Sequence, residues 1–522
     1  MVVTSLSNIA AELEASAHML SLADAAVGLK LCDKIATLLR PFATPSPDQS
    51  QQKHDTAAAA AAAAATEWLS LCSLPSELLA RIISLLPSTE DIGRLDCVSR
   101  EFRPKPPCSV VEEGLRLRVA QGGYTVAKAL PAGQWTWVQA LCWDERRRRC
   151  GGRAVMAAGD THSVFVDVSG RLVICGTDDD GYGFLGQGVA MKTMLTPTAI
   201  DLEPSVKVIS VAAAMTHTLA LSEAGTVYSF GRGECGKLGH GDENDQPTPK
   251  LIEALQGVRI TAIVAGNFHN LVLTEAGAVY RFGGGASGGR PSDEDENHLT
   301  PTLIETLRGV RITAIAMGSF HSLVLSEAGT VYSFGRGKCG KLGHGDENDQ
   351  PTPKLIEALR GMRICAIAAC ECYSWALSEA GAVYSFGQGK PGGRLGHPDW
   401  GSKLTPMRIE ALRGVRITAI SAGDYHSMAL SEAGEVYSAG MGENGELGHG
   451  DEEDRLTPTR IEALRGVRIT AIVARCFNSL VLSDSGRVYS FGLGYGGRLG
   501  HREGEYKQLT PKLIQGLRCA KL

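Results

Sequence analysis

The chain has 522 residues, a formal net charge of −5 and 43% hydrophobic residues, a globular balance long enough for more than one domain. No run of about eighteen apolar residues occurs, so no helical membrane span is expected, and the start, with Glu12, Glu14 and Asp24 and no basic stretch before an apolar core, predicts no secretory signal. Fourteen cysteines are scattered without metal-finger rhythm, and the Cys365, Cys370, Cys372 group has no partner pair at zinc spacing, so they read as reduced thiols of an intracellular protein, cytoplasmic or nuclear.

Residues 1–40 form the first segment. Leu13, Leu20, Val27, Leu31, Ile35 and Leu38 recur at helical spacing and predict one or two amphipathic helices. Residues 41–69 read as a linker: a Pro/Ser/Gln stretch, then a polyalanine run with high helix propensity but no side chains to pack.

Residues 70–106 carry a sharper pattern. Pro75 suits a first helical turn, where its missing N–H would be unpaired anyway. Leu78, Leu79, Ile82, Leu85 and Leu86 then make an apolar stripe, and Pro87 stops the helix. Ser88 or Thr89 caps a second helix striped by Leu95, Val98 and Phe102. A Leu-Pro-x-Glu-Leu start (Leu74, Pro75, Glu77, Leu78) and a Val-x-Arg-x-Phe end (Val98, Arg100, Phe102) make this module resemble the F-box. That resemblance implies docking on a Skp-type adaptor of cullin–RING ubiquitin ligases through Leu74, Pro75, Leu78, Ile82, Leu85, Leu86 and Val98. The same stripes would also serve a hairpin packed on its own domain. Residues 107–150 read as a helical connector, with Trp135, Trp137 and Trp143 as an anchor and the Arg146–149 run as a solvated helix end.

From 151 to 522 one phrase repeats. Its fullest copy runs Gly318-Ser319-Phe320-His321-Ser322, then Gly329-Thr330-Val331-Tyr332-Ser333-Phe334-Gly335, then Leu342-Gly343-His344-Gly345 and Thr352-Pro353. The histidine slot falls at His162, His217, His269, His321, Tyr373, His426 and Asn478, in steps of 52 to 55 residues. Each unit holds about four short strand-type runs between glycine turns. A lone unit would leave an apolar face wet, whereas stacked units bury it and a ring protects the edges. These phrases closely resemble the repeat of the regulator of chromosome condensation family, over residues 151 to 518. The resemblance implies a seven-bladed β-propeller, so the expected fold is mainly β, preceded by a small α-helical region. Whether the chain ends share one closing blade is open at this stage.

The repeating histidines His162, His217, His269, His321 and His426 are related by the repeat, so a ring holds them apart and they cannot meet on one substrate. Tyr373 and Asn478 share the slot, which predicts a structural role, tying down buried groups. The Leu-Gly-His series (His240, His344, His397, His449, His501) reads the same way. Acidic loops follow that turn, with Asp242, Glu243, Asp346, Glu347, Asp451 and Glu452, and a further run at 293–296. At one repeat position they share one rim, which serves solubility or steers a basic partner and repels nucleic-acid phosphate.

No phosphate-cradling loop, nucleophile elbow or metalloprotease helix is present, and no EF-hand spacing. Units two (221–263) and four (325–367) differ at few positions, giving little sign of a blade specialised for chemistry. The expectation is a non-enzymatic interaction propeller without cofactor or metal, serving as a ligase substrate receptor that holds a target protein. The alternatives are a guanine-nucleotide exchange factor for a Ran-like small GTPase, or a general scaffold. Exchange in the resembled family is attributed partly to a β-wedge, for which the even spacing leaves no room. The plant ultraviolet receptor of similar fold needs a tryptophan cluster in the propeller, where this chain has only Trp375 and Trp400.

Overall fold

The computed structural model describes residues 154–188, 192–202, 206–284, 297–502 and 506–520. The helical segments before residue 151, the F-box-like module, the tryptophan anchor, the arginine run and the 293–296 acidic run lie outside the described residues.

The described chain folds into seven four-stranded antiparallel sheets, each a simple meander of consecutive strands. Blade one spans 156–200, blade two 208–251, blade three 260–303, blade four 312–355, blade five 364–408, blade six 417–460 and blade seven 469–518. The first strand of each blade lies beside the first strand of the next, and that of blade seven meets that of blade one, so the ring is closed. The fold is the mainly β, seven-bladed propeller that the period predicts.

Blade four shows how sequence makes a blade. Its strands are Ile312–Met317, His321–Ser326, Val331–Gly335 and Gln350–Leu355. The second strand is buried at every position, because one face packs on the preceding blade and the other on the next. The fourth is only half buried or exposed, and it carries Pro351 and Pro353. An outer edge tolerates proline, since the missing N–H would face solvent. Gly335 ends the third strand at φ 107°, and a Cβ there would sit 2.5 Å from the carbonyl oxygen of Phe320. That close approach is why the repeat closes on glycine.

The apolar core therefore lies between blades. Leu323 and Leu325 of blade four pack with Ile356 and Leu359 of the connecting turn and with Ile364, Ala376 and Phe386 of blade five. Truncating Phe386 to alanine would cost about 3–5 kcal/mol, as for other large core residues.

Closure uses no shared blade. Blades one and seven each supply their own four strands. The last strand, Lys507–Arg518, is 12 residues long and stays paired with its neighbour up to Arg518, opposite Arg487. Cys519 makes an antiparallel bridge to Asp167 of blade one. The amide of Val168 donates to the Arg518 carbonyl at 3.2 Å, and that of Ala520 to the Val166 carbonyl at 3.2 Å. Leu480, Leu482, Ile514 and Leu517 share one core cluster with Phe165, Val164 and Ile174, which seals the seam.

Candidate interaction face and axial cluster

A meander places the loops joining strands one and two, and strands three and four, at the same end of its sheet. The structure ties them together: the amide of Arg336, just past strand three, donates to the carbonyl of Phe320 in the first loop at 2.9 Å. One face of the ring thus carries the acidic loops outside and the first loops around the axis.

The acidic residues have unequal duties. Oδ1 of Asp242, Asp346 and Asp451 accepts the backbone N–H two residues on, at 2.9, 3.0 and 3.2 Å. These aspartates shape their own turns, and hydrogen bonding to the backbone lowers the pKa of Asp242 and Asp346. Glu243, Glu347 and Glu452 are exposed. Glu243 accepts from Asn297 at 3.0 Å, and Glu452 pairs with Lys507 at 3.1 Å.

The histidine slot opens the second strand of each blade and works between blades. Nε2 of His162 meets Oγ1 of Thr218 at 3.0 Å, and that of His217 meets Oδ1 of Asn270 at 2.8 Å. His269, His321 and His426 reach Ser322, Ser374 and Ser479 at 3.2, 2.7 and 2.6 Å. Several of these receiving groups pass the connection back: Ser374 donates to the Lys341 carbonyl at 3.0 Å and Ser479 to the Glu446 carbonyl at 2.8 Å. Tyr373 does the same work with its hydroxyl, bonding the Gly423 carbonyl at 2.7 Å and Ser427 at 2.6 Å. Asn478 is too short, and both its side-chain polar atoms are buried without a partner. The relay stops at the seam between blades seven and one. Burial holds the pKa of His162 and His217 down to about 3, so these imidazoles stay neutral.

The Leu-Gly-His series acts within blades. Nε2 of His344 meets Oγ of Ser333 at 3.0 Å, and that hydroxyl also donates to the Leu342 carbonyl at 2.7 Å. His240, His397, His449 and His501 repeat the arrangement with Ser229, Ser385, Ser438 and Ser490 at 2.9 to 3.0 Å.

Around the axis the blades differ. Two residues before the histidine slot stand Asp160, Met215, Asn267, Ser319, Glu371, Asp424 and Cys476. One residue earlier four blades have glycine (159, 266, 318 and 423), whereas blade seven has Arg475. This arginine is 8% exposed. Its Nε lies 3.4 Å from Oδ1 of Asp160 in blade one, and its Nη2 donates to Oδ1 of Asn267 in blade three at 2.6 Å. Burial works against its charge, but Asp424 and Asp160 outweigh that and raise its pKa. Burial also raises the pKa of Asp160, with Arg475 opposing.

A second ring of charge lies behind the first loops. Lys237, Lys341, Arg394 and Arg498 take one repeat position and are all buried. The Nζ of Lys237 donates to Oγ1 of Thr216 at 3.0 Å, and burial lowers its pKa to about 8. Lys341 and Arg336 both lie over the Phe320 ring, at 5.4 and 5.0 Å. Blade six puts Glu446 in this position, fully buried, where burial raises its pKa to about 7. None of these departures is a motif in the sequence. The signal that finds them is a column-by-column reading of the repeats, in which Arg475 replaces glycine and Glu446 replaces a cation.

Trp375 is buried in the second strand of blade five, while Trp400, in the loop before its fourth strand, is 54% exposed. The eight described cysteines form no disulfide. No described helix is long and apolar enough to cross a membrane.

Residues 144–473 match the model of the RCC1-like domain, and residues 485–521 that of the regulator of chromosome condensation (RCC1) repeat. The ultraviolet-B receptor UVR8 of Arabidopsis thaliana is 33% identical over 365 residues, covering 70% of this chain and 82% of the receptor. The human E3 ubiquitin-protein ligase HERC2 is 34% identical over 336 residues, 64% of this chain but only 7% of the ligase. The crystal structure of Prp20p from Saccharomyces cerevisiae superposes with a TM-score of 0.59 at 23% identity, covering 72% of this chain and 89% of that one, a likeness of fold. The ring is a protein-interaction propeller, and the chain belongs to the RCC1-like domain family.

Proposed function

We propose that this protein is a substrate receptor of a cullin–RING ubiquitin ligase. The F-box-like module docks on a Skp-type adaptor, and the propeller presents a target protein. The observation that carries the receptor reading is the division of labour in the ring. The blade faces are consumed by packing, while one end carries unlike loops, with exposed acidic residues outside and the half-buried Phe320 and Arg336 further in. Surfaces of that kind bind by shape and charge. The docking half rests on Leu74, Pro75, Leu78, Ile82, Leu85, Leu86 and Val98, whose pattern supports an adaptor-binding helix pair. On the rim, Asp242, Asp346 and Asp451 hold the loops in shape, and Glu243, Glu347 and Glu452 steer a basic target.

Affinity purification of the full chain, alongside residues 151–522, tests both halves. The full chain should recover a Skp-type adaptor and the short one should not. Leu78→Ala combined with Leu86→Ala should abolish adaptor recovery and leave target recovery intact. Adaptor recovery that survives both substitutions sinks the docking assignment. Reversing Glu243, Glu347 and Glu452 to lysine should slow target association and reverse its salt dependence.

A second reading is guanine-nucleotide exchange on a Ran-like GTPase. It is supported by the fold likeness to Prp20p, described with binding properties to Gsp1p and histones. Accelerated nucleotide release from the GTPase would favour it over the receptor role.

A further inference from the structure

The largest departures from repeat symmetry gather at the mouth of the axis. A carboxylate oxygen of Asp160, one of Asp424 and Sγ of Cys476 lie within 4.8 Å of one another. They come from three consecutive blades, six, seven and one, and they straddle the seam where the histidine relay stops. Asp424 is 6% exposed, and its Oδ1 is buried with no hydrogen-bond partner. A carboxylate oxygen held in that state lacks the donor or cation that buried acceptors require. Oδ1 of Asp160 likewise has no hydrogen bond, and Nε of Arg475 lies 3.4 Å from it.

We propose that Asp160, Asp424 and Cys476 form a divalent-metal site that takes zinc and staples blades six, seven and one at the axial mouth. The donor set selects the metal. A thiolate sulfur is a soft ligand that calcium and magnesium do not favour, whereas two carboxylates and one thiolate suit zinc, with a fourth position open to water. In tetrahedral zinc the ligand atoms stand about 3.3–3.8 Å apart, so side-chain rotations of about an ångström close the site. The charges also balance. Two carboxylates and one thiolate are met by a dication and the guanidinium of Arg475, with Arg498 as the other nearby cation. Arg475 need not leave, because its Nη2 is anchored on Asn267. On binding, the Cys476 thiol releases its proton to solvent, so affinity falls as pH falls.

The full chain, reduced and stripped with a chelator, is titrated with zinc chloride by calorimetry and with cobalt(II) by near-ultraviolet absorption. One zinc equivalent, a thiolate-to-cobalt charge-transfer band and a rise in Tm are expected. Cys476 has φ 42°, so Cys476→Gly removes the sulfur while easing the backbone. That variant should lose the band and weaken zinc at least about tenfold, a loss of about 1.4 kcal/mol or more. Asp424→Asn, of nearly the same shape, is the second variant and should weaken zinc similarly with an unchanged far-ultraviolet spectrum. Zinc bound equally well by both folded variants, or no one-to-one binding by the parent, would mean that Arg475 alone neutralises the carboxylates and would overturn the site.

Discussion

Arg475 and Asn267 meet across the propeller axis: Nη2 of the arginine in blade seven donates to Oδ1 of the asparagine in blade three at 2.6 Å. Only a residue close to the axis can join blades so far apart along the ring. The same guanidinium faces Asp160 of blade one, so a single side chain ties three blades.

Arg475→Gly restores the glycine found at this place in blades one, three, four and six. By repeat consensus it should be harmless. We expect the reverse in the metal-free protein, a loss of about 3 kcal/mol, because the buried Asp424 and the half-buried Asp160 would be left uncompensated. Urea unfolding measures it, and adding Asp160→Asn should recover part of the loss, as coupled residues do. An unchanged midpoint for Arg475→Gly would refute the tie.

Asn478→His should stabilise the ring. Ser163 of blade one, the counterpart of the hydroxyls met by His321 and His426, already donates to the Arg498 carbonyl at 2.7 Å. An imidazole at 478 would reach it and leave one unpaired polar atom, Nδ1 as in the other slot histidines, in place of two. The expected gain is about 1 kcal/mol, read as a higher urea midpoint.

Glu446 makes stability fall as pH rises. Its folded pKa is raised from 4.5 to about 7, so the unfolded carboxyl ionises first. The protein keeps the full benefit of a neutral buried acid below about pH 4.5 and loses it as pH climbs through about 7. Glu446→Gln should therefore match the parent at pH 5 and exceed it at pH 8, by up to about 2–3 kcal/mol. Denaturant midpoints at the two pH values check it, and a difference independent of pH would count against it.

The slot histidines work in the opposite sense. Their folded pKa values are depressed, to about 3 in His162 and His217 and about 4 in His269 and His426. The unfolded imidazoles take protons first, so stability present above pH 6.5 is lost as pH falls toward those values. Replacing His321 by tyrosine, the residue blade five uses, should keep much of the fold's stability and flatten this acid slope. His321→Leu should cost about 1 kcal/mol at pH 7, since Ser374 loses one of its two hydrogen bonds.

Much of the architecture is legible in the chain itself. A spacing near 52 residues, strand-type runs such as Val331–Gly335, and glycines where a Cβ would strike a neighbouring carbonyl require a ring of like blades. The acidic loops share one repeat position, so their common face also follows from sequence. Local chemistry repeats, and repetition survives in a one-dimensional reading.

Only the tertiary structure decided what crosses between blades. His321 and Ser374 are 53 residues apart, and nothing in either phrase says that the imidazole ends on the next blade's hydroxyl. Closure through Cys519 and Asp167 depends on where the last strand runs out. Distance from the axis explains the rest. Repeat-related groups out in the blades stay apart, as the histidines do, while groups at the mouth lie on a small circle. There Asp160, Asp424 and Cys476 converge although long stretches of chain separate them, because a closed ring brings its first and last blades together.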